Sequence, residues 1–512
     1  MQSPTRTVVT VVVFLFALLA GCASLPDEIE HPDESLSPVP VGTLQQLLDP
    51  YKARQSEMDQ SGILLQETGW DALSQRLALI EMAEHQIDIQ YYIWNRDGSG
   101  RYLASRLIAA AERGVQVRVM LDDINLNERE SLLAALDRHP RIEIRIFNPI
   151  PSRRGLLKWL NFLGDFSRLN RRMHNKSFTV DGVLSIVGGR NIGDEYFDLS
   201  DELNFRDRDV LVAGAAVNDI SNSFLQYWNS RWSYPVNLLT DEVVTDLDGI
   251  DKVTAPRYRD QPALPEGGEL ATRFLVDLLP LMTWTRASYV YDRPVPQDAE
   301  DSSVPKTTAR ILGDLARQAE KSIQVESAYL IFDDRQLREL QQIAGRGVQI
   351  KALTNSMASN DLITNHSGYA ARRRGMLLSG IQLFELKPDA SLCLESTGDP
   401  SKCAPQAAYG LHAKSVVFDR QVACVGSFNL NLRSTYLNTE SLLVIESPEV
   451  AGRLARQLEQ AMQFQNSWQL QLQEGELRWF SGEQNWTTDP ETRAWDRVKS
   501  RLLQLLPIEK YL

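Results

Sequence analysis

Histidine and cysteine are both scarce, six and four in 512 residues. None stands at a His/Cys spacing that would hold a metal ion, so the sequence offers no metal centre and implies no cofactor. An excess of basic charge is also missing. Lys and Arg number 54 against 67 Asp and Glu, a formal net charge of −13. That argues against a nucleic-acid partner, which ordinarily needs a basic face. The apolar run Val8–Leu19 falls short of the ~20 residues of a comfortable membrane span. What is present is globular: 43% hydrophobic and 24% charged residues, in a length that suits two domains of ordinary size plus extensions.

The N-terminus reads as a targeting segment. Arg6 precedes the apolar run, which ends in Leu19-Ala20-Gly21-Cys22, so residues 1–21 are expected to be a signal peptide. The ending resembles a bacterial lipobox. That resemblance implies a diacylated Cys22 as the first mature residue and, with Ala23 rather than Asp behind it, the periplasmic face of an envelope membrane, the outer more than the inner. Two acyl chains anchor stably. Residues 22–45, acidic and containing Pro26, Pro32, Pro38 and Pro40, read as a tether. Export to an oxidising compartment predicts that Cys393 and Cys403 pair. Cys424, in an apolar run, is expected to be a buried free thiol.

One pattern occurs twice. His174-Asn175-Lys176-Ser177-Phe178-Thr179-Val180-Asp181 and His412-Ala413-Lys414-Ser415-Val416-Val417-Phe418-Asp419 both fit H-x-K-x-x-x-x-D. Each is followed at the same distance by a Gly element, Gly188-Gly189-Arg190-Asn191 and Gly426-Ser427-Phe428-Asn429. On a strand, residues two apart share a face, which sets an imidazole beside an ammonium. Lysine neutralises phosphate oxygens, and histidine attacks phosphorus or moves a proton near neutral pH. Small residues in the Gly element would let backbone N–H groups approach an anion, with Asn191, Asn429 and Ser427 as further phosphate-binding candidates. Asp181 and Asp419 complete the catalytic motif but have the opposite strand parity, so they read as its structural anchors.

At these residues the chain resembles the phospholipase D superfamily, whose signature is this doubled motif. The resemblance implies that both copies meet at one interface and act without metal. Asp207 and Glu440, at equivalent places in the two halves, would orient the motif histidines; a carboxylate on one imidazole nitrogen fixes the tautomer and stabilises the cation. Within the superfamily the chain is most similar to bacterial cardiolipin synthases, through Asp88-Ile89-Gln90-Tyr91-Tyr92-Ile93-Trp94, Asp165 to Lys176, Gly188 to Gly193, Leu353-Thr354-Asn355-Ser356 and Gly426 to Glu440. Asn365-His366-Ser367-Gly368-Tyr369 with Arg372-Arg373-Arg374 resembles a block of those enzymes and is a candidate for the acceptor or head-group side.

Strand-like and helix-like segments alternate: helices over 70–85, 103–113, 128–139 and 219–232, strands over 87–94, 115–121, 142–147 and 209–212. A short helix from Asp49 to Gln60 would take Asp49 as N-cap and Pro50 as its first residue. The second half repeats the first. Arg346-Gly347-Val348-Gln349-Ile350-Lys351 follows Arg113-Gly114-Val115-Gln116-Val117-Arg118 at an offset of 233 (346 − 113), and His412 follows His174 at 238 (412 − 174), as a duplication requires. The expected fold is α/β: two pseudo-twofold-related halves, 46–250 and 301–469, each a mixed sheet flanked by helices. Residues 251–300 would connect them and 470–512 form a C-terminal extension that docks on the core or touches lipid. Residues 153–172, basic and apolar, read as an interfacial element beside His174 or as a surface cover.

The resemblance implies a phosphatidyltransferase making cardiolipin from phosphatidylglycerol, with phosphatidylglycerol or phosphatidylethanolamine as donor, working at a membrane surface through a phosphohistidine. A phospholipase D forming phosphatidic acid shares that chemistry up to the intermediate. A metal-independent nuclease would use the same motifs, against the acidic balance; a non-catalytic scaffold would have no use for them.

Overall fold

The computed structural model describes residues 42–55, 59–126, 130–150, 169–240, 253–294, 303–505 and 509–511. The expected signal peptide, Cys22, the tether as far as residue 41 and residues 153–168 of the basic stretch lie outside them.

The first half contributes β1 (Gln60–Gln66), β2 (Gln86–Tyr91), β3 (Gln116–Asp122), β4 (Ile142–Phe147), β5 (Ser177–Val180), β6 (Leu184–Gly188), β7 (Leu203–Arg206), β8 (Asp209–Gly214) and β9 (Ser233–Pro235). The second contributes β10 (Thr283–Tyr291), β11 (Ser322–Ser327), β12 (Gln349–Asn355), β13 (Ile381–Leu386), β14 (Ala408–Leu411), β15 (Lys414–Phe418), β16 (Val422–Gly426), β17 (Ser441–Glu446) and β18 (Ser467–Gln473), with β19 (Glu476–Ser481) and β20 (Gln484–Trp486) beyond. Eighteen of them form one sheet. Its pairings run β9-β4-β3-β2-β5-β6-β8-β1 and then β10-β17-β16-β15-β11-β12-β13-β18-β19-β20. Read outward from the central β1–β10 pair, the two orders are the same. In each half only the βαβ-connected strands, β2-β3-β4 and β11-β12-β13, run parallel, since a parallel pair needs a helical crossover. The helices cover both faces, so most strand residues are buried whichever way they point.

This order moves two boundaries. The segment expected to connect the halves holds a helix, Gly268–Leu278, and β10. β10 is the counterpart of β1 and the first strand of the second half, and the antiparallel pairing of Gln60–Ile63 with Arg286–Thr283 makes the seam. The helix expected from Asp49 instead runs Thr43–Lys52 with Pro50 inside it. Its apolar side, Leu44 and Leu48, is buried on the first half. The Glu84 carboxylate accepts from the Thr43 N–H (3.1 Å) and hydroxyl (2.6 Å), tying down the N-terminus. Pro50 falls near the helix end, where it removes at most one internal hydrogen bond. The helix expected over 219–232 is Ala215–Trp228.

Asp181 and Asp419 sit in the hairpin turns after β5 and β15 at φ 52° and 53°. Asp181 accepts from the N–H groups of Glu84, His85 and Gln86 at 2.8–2.9 Å, and Asp419 from those of Glu320, Lys321 and Ser322 at 2.7–2.9 Å. Each fastens the entry of β2 or β11 to its hairpin. They lie at the far end of the motif strand from the histidine and have no part in the site.

Candidate active site

Each motif histidine reaches the site alongside the other half. β14 runs parallel to β7, Leu411 opposite Arg206, and the His412 N–H donates to Arg206 O (2.8 Å). In the mirror arrangement Met173 bridges Thr439, and the His174 N–H donates to Thr439 O (2.9 Å). Asp207 and Glu440 directly follow Arg206 and Thr439. Each carboxylate therefore meets the imidazole of the opposite half. His412 Nδ1 lies 2.5 Å from Asp207 Oδ2, and His174 Nδ1 lies 2.8 Å from Glu440 Oε2 and 2.9 Å from Ser427 O. With Nδ1–H held by a carboxylate, Nε2 is the nitrogen left for chemistry. The edge of Tyr92 packs on His174 (centroids 4.9 Å, 73°) and that of Tyr196 on His412 (5.0 Å, 75°). Arg208 of the first half and Glu326 of the second, 2.9 Å apart, tie the halves behind the site.

Lys176 Nζ donates to His174 O at 2.6 Å, and Lys414 Nζ to His412 O. Both ammoniums are buried. Burial is the main reason that their pKa values fall, Lys176 to about 7 and Lys414 to about 8, each carboxylate of the site opposing the shift. Burial likewise takes His174 down to about 4 and His412 to about 3; both lysines add to the fall, and Glu440 and Asp207 oppose it. Burial alone would raise the carboxyls, but His412 with Lys414 holds Asp207 below its usual range, and His174 with Lys176 does the same for Glu440. The arrangement is a buried cluster in which two lysines, two imidazoles and two carboxylates act on one another's charge. A phosphate between the lysines would offset their effect on the imidazoles, and a paired carboxylate could then hold one imidazole protonated while the other stays neutral.

The Gly elements do something other than expected. The N–H of Gly189 donates to Arg208 O and that of Ser427 to Ser441 O, both at 2.9 Å, and the Arg190 N–H donates to Asp209 Oδ1. These donors are spent within the fold. The residues are small because the carboxylate-bearing strand passes close: a Cβ at Gly189 would lie 2.4 Å from Asp207 Oδ1, one at Gly188 2.1 Å from Asp209 Oδ1, and one at Gly426 2.2 Å from Ser441 O. Ser427 is not a free phosphate donor either, since its hydroxyl donates to Glu440 Oε2 (2.6 Å). Asn191 accepts from the Ile93 N–H (3.3 Å) while its Nδ2 is buried without an acceptor; the Asn429 Oδ1 is buried without a donor. The Asn191 Nδ2 is thus a donor that a phosphate oxygen could take up, whereas the Asn429 Oδ1 is an acceptor and would itself need a donor.

Three contributors went unassigned in the sequence. Ser434 donates to Glu440 Oε1 at 2.5 Å, and the rings of Tyr92 and Tyr196 flank the histidines. Nothing in their spacing singles them out. His366 does not join the site. It is fully buried, with Nε2 3.1 Å from Arg373 and 3.5 Å from Asp489. Arg373 also meets Glu385 (2.8 Å), which accepts from Trp479 Nε1 (2.8 Å). This network fastens the C-terminal extension to the second half, so that part of the extension docks on protein. Cys393 and Cys403 form a disulfide, Cα atoms 5.8 Å apart, and Cys424 is a buried free thiol.

Two halves of like strand order joined in one sheet, with an H-x-K from each buried against the other half's carboxylate, form the architecture of the phospholipase D superfamily. The family model for the cardiolipin synthase, PLD-like domain matches residues 77–228 and 312–462, and the chain belongs to that family, in the cardiolipin synthase branch of the superfamily. It is similar to cardiolipin synthase C of Escherichia coli (strain K12), with 38% identity over 88% of this chain and 96% of the relative. It is also similar to a cardiolipin synthase of Geobacillus kaustophilus (strain HTA426), with 25% identity over 73% of this chain and 60% of the relative. Among solved structures, phosphatidylserine synthase of Haemophilus influenzae Rd KW20 shares the fold, with a TM-score of 0.55 at 13% identity, over 92% of this chain and 100% of that one.

Proposed function

We propose that this protein transfers a phosphatidyl group from phosphatidylglycerol or phosphatidylethanolamine to phosphatidylglycerol, forming cardiolipin. The observation that carries the reading is the pair of crossed His–carboxylate contacts, His174–Glu440 and His412–Asp207, around two buried lysines. The likeness to cardiolipin synthase C supports the choice of lipids.

In the proposed sequence His174 Nε2 attacks the donor phosphorus. The bond to the head-group oxygen breaks, and His412 gives that oxygen its proton. The acceptor hydroxyl then passes its proton to His412 and attacks phosphorus, and the phosphorus–nitrogen bond breaks. Lys176, Lys414, Asn191 and Asn429 stabilise the charge of the five-coordinate states, where preorganised donors are worth most. Water as acceptor would give phosphatidic acid instead. We place the protein at the periplasmic face of an envelope membrane, anchored through Cys22, on the N-terminal sequence alone.

Purified protein incubated with phosphatidylglycerol, with and without phosphatidylethanolamine, tests this. Cardiolipin among the products is the expected result. Phosphatidic acid alone would make the protein a hydrolase, and DNA nicking without lipid turnover would make it a nuclease. Labelled phosphate trapped on His412 and never on His174 would reverse the two roles.

A further inference from the structure

The helix Ala494–Leu503 and the turn behind it carry large apolar side chains that stand exposed among the described residues: Trp495 is 69% exposed, Val498 43%, Leu502 58% and Leu505 79%. Their spacing of three, four and three residues puts them on one side of the helix, at ~100° per residue. The opposite side carries Ser500, which is buried. On the same projection Lys499 and Arg501, both exposed, border the apolar stripe, one on each side. The helix holds Arg497, Lys499 and Arg501 against one acid, Asp496, in a chain whose net charge is −13. Behind it the chain returns to the active-site side. Glu509 accepts from Arg372 and Tyr511 O from Arg433 (3.2 Å). Arg433 adjoins Ser434, whose hydroxyl bonds Glu440, the partner of His174.

We propose that this face is a membrane-docking surface: Trp495, Val498, Leu502 and Leu505 enter the acyl boundary of an anionic bilayer while Lys499 and Arg501 meet its phosphates. An apolar stripe bordered on both sides by cations, with a tryptophan among its apolar residues, is the composition of a helix lying in the lipid interface. Cations on both borders of the stripe fit the plane of lipid phosphates that lies on either side of a helix sunk in the interface. The docked face holds the lipid surface beside the His174 end of the site. The choice of a lipid surface rests on the proposed lipid chemistry, but the docking is measured without it.

The test uses the full-length protein with vesicles of phosphatidylethanolamine and phosphatidylglycerol whose acyl chains are brominated near the head group. Tryptophan emission is quenched, and Trp495→Phe removes the quenched component. The triple variant Trp495→Ser, Leu502→Ser, Leu505→Ser turns over lipid in vesicles at least about tenfold more slowly, relative to detergent micelles, than the unaltered protein. Lys499→Gln with Arg501→Gln weakens association with the anionic vesicles about 30-fold and leaves neutral phosphatidylcholine vesicles unaffected. Equal quenching with and without Trp495 overturns the proposal. So does a dimer in solution that the triple variant dissociates, because the face would then bind a second copy. Turnover absent even in micelles would count against the enzymatic reading, while the quenching would still report on docking.

Discussion

Each motif imidazole is paired with a carboxylate it could never meet within its own half, and the consequence at the residue scale is specific. Removing the charge at Glu440 should disable His174, and removing it at Asp207 should disable His412. Glu440→Gln and Asp207→Asn should each lower turnover by about 10²–10⁴-fold, since the charge both sets the tautomer and stabilises the imidazolium. Acid-quench trapping with a donor whose leaving group needs no proton separates them: Glu440→Gln suppresses phosphate on His174, whereas Asp207→Asn lets it form and slows its release to the acceptor. Equal trapping in both would undo the assignment. The lysines set the pH dependence. Their pKa values of about 7 and about 8 are depressed from 10.5, so the charges that bind phosphate are lost as pH rises through 7–8, and kcat/KM should fall on that limb. The sign for stability is opposite. Between those values and 10.5 the unfolded chain holds more protons than the folded one, so the lysines make the unliganded protein more stable as pH rises across that window. Urea midpoints measured from pH 6.5 to 10 check this, and inorganic phosphate should raise the midpoint most at the acid end.

At the scale of the element, the motif aspartates are fasteners. Asp181→Ala strips the acceptor from three backbone N–H groups at the entry to β2, and Asp419→Ala does so at β11. Each should cost about 2–3 kcal/mol in urea unfolding. The pH–rate profile of the protein that remains folded should not move; a shifted profile would mean that the aspartate acts in the site. Elements with a clear period were legible in the sequence: β3 and β4 fall where alternation put them, because a half of the pattern is enough to choose a strand. β1 was missed because Gln60-Ser61-Gly62-Ile63-Leu64-Leu65-Gln66 does not alternate. Being central, it is covered on both faces and has no solvent side to mark with polar residues. β10 was lost for another reason: it lies within a stretch rich in proline and charge, and only pairing to β1 and β17 makes it a strand. The Gly elements were found, but their purpose was misread, because a glycine demanded by a passing strand looks the same in sequence as one demanded by an anion.

At the scale of the whole molecule, neither half is a complete enzyme. A fragment ending near residue 240 keeps His174 but loses Glu440, and one beginning near 253 keeps His412 but loses Asp207. Each alone should give no turnover and no trapped phosphohistidine, while the two co-expressed should reassemble across the β1–β10 seam and recover activity. Measurable turnover by either fragment would show that a single His–Lys pair suffices.

By itself the sequence determined the doubled H-x-K pattern, the duplication and the α/β rhythm. Imidazole and ammonium two residues apart, a repeat held in register and alternating apolar positions are all local facts that a linear chain displays. Only the tertiary structure decided which carboxylate serves which histidine, what the glycines make room for and where the second half begins. The partners of His174 and His412 stand 266 and 205 residues away along the chain. Their crossing follows from the two-fold arrangement of the halves, in which each histidine runs beside the strand that leads to the other half's carboxylate.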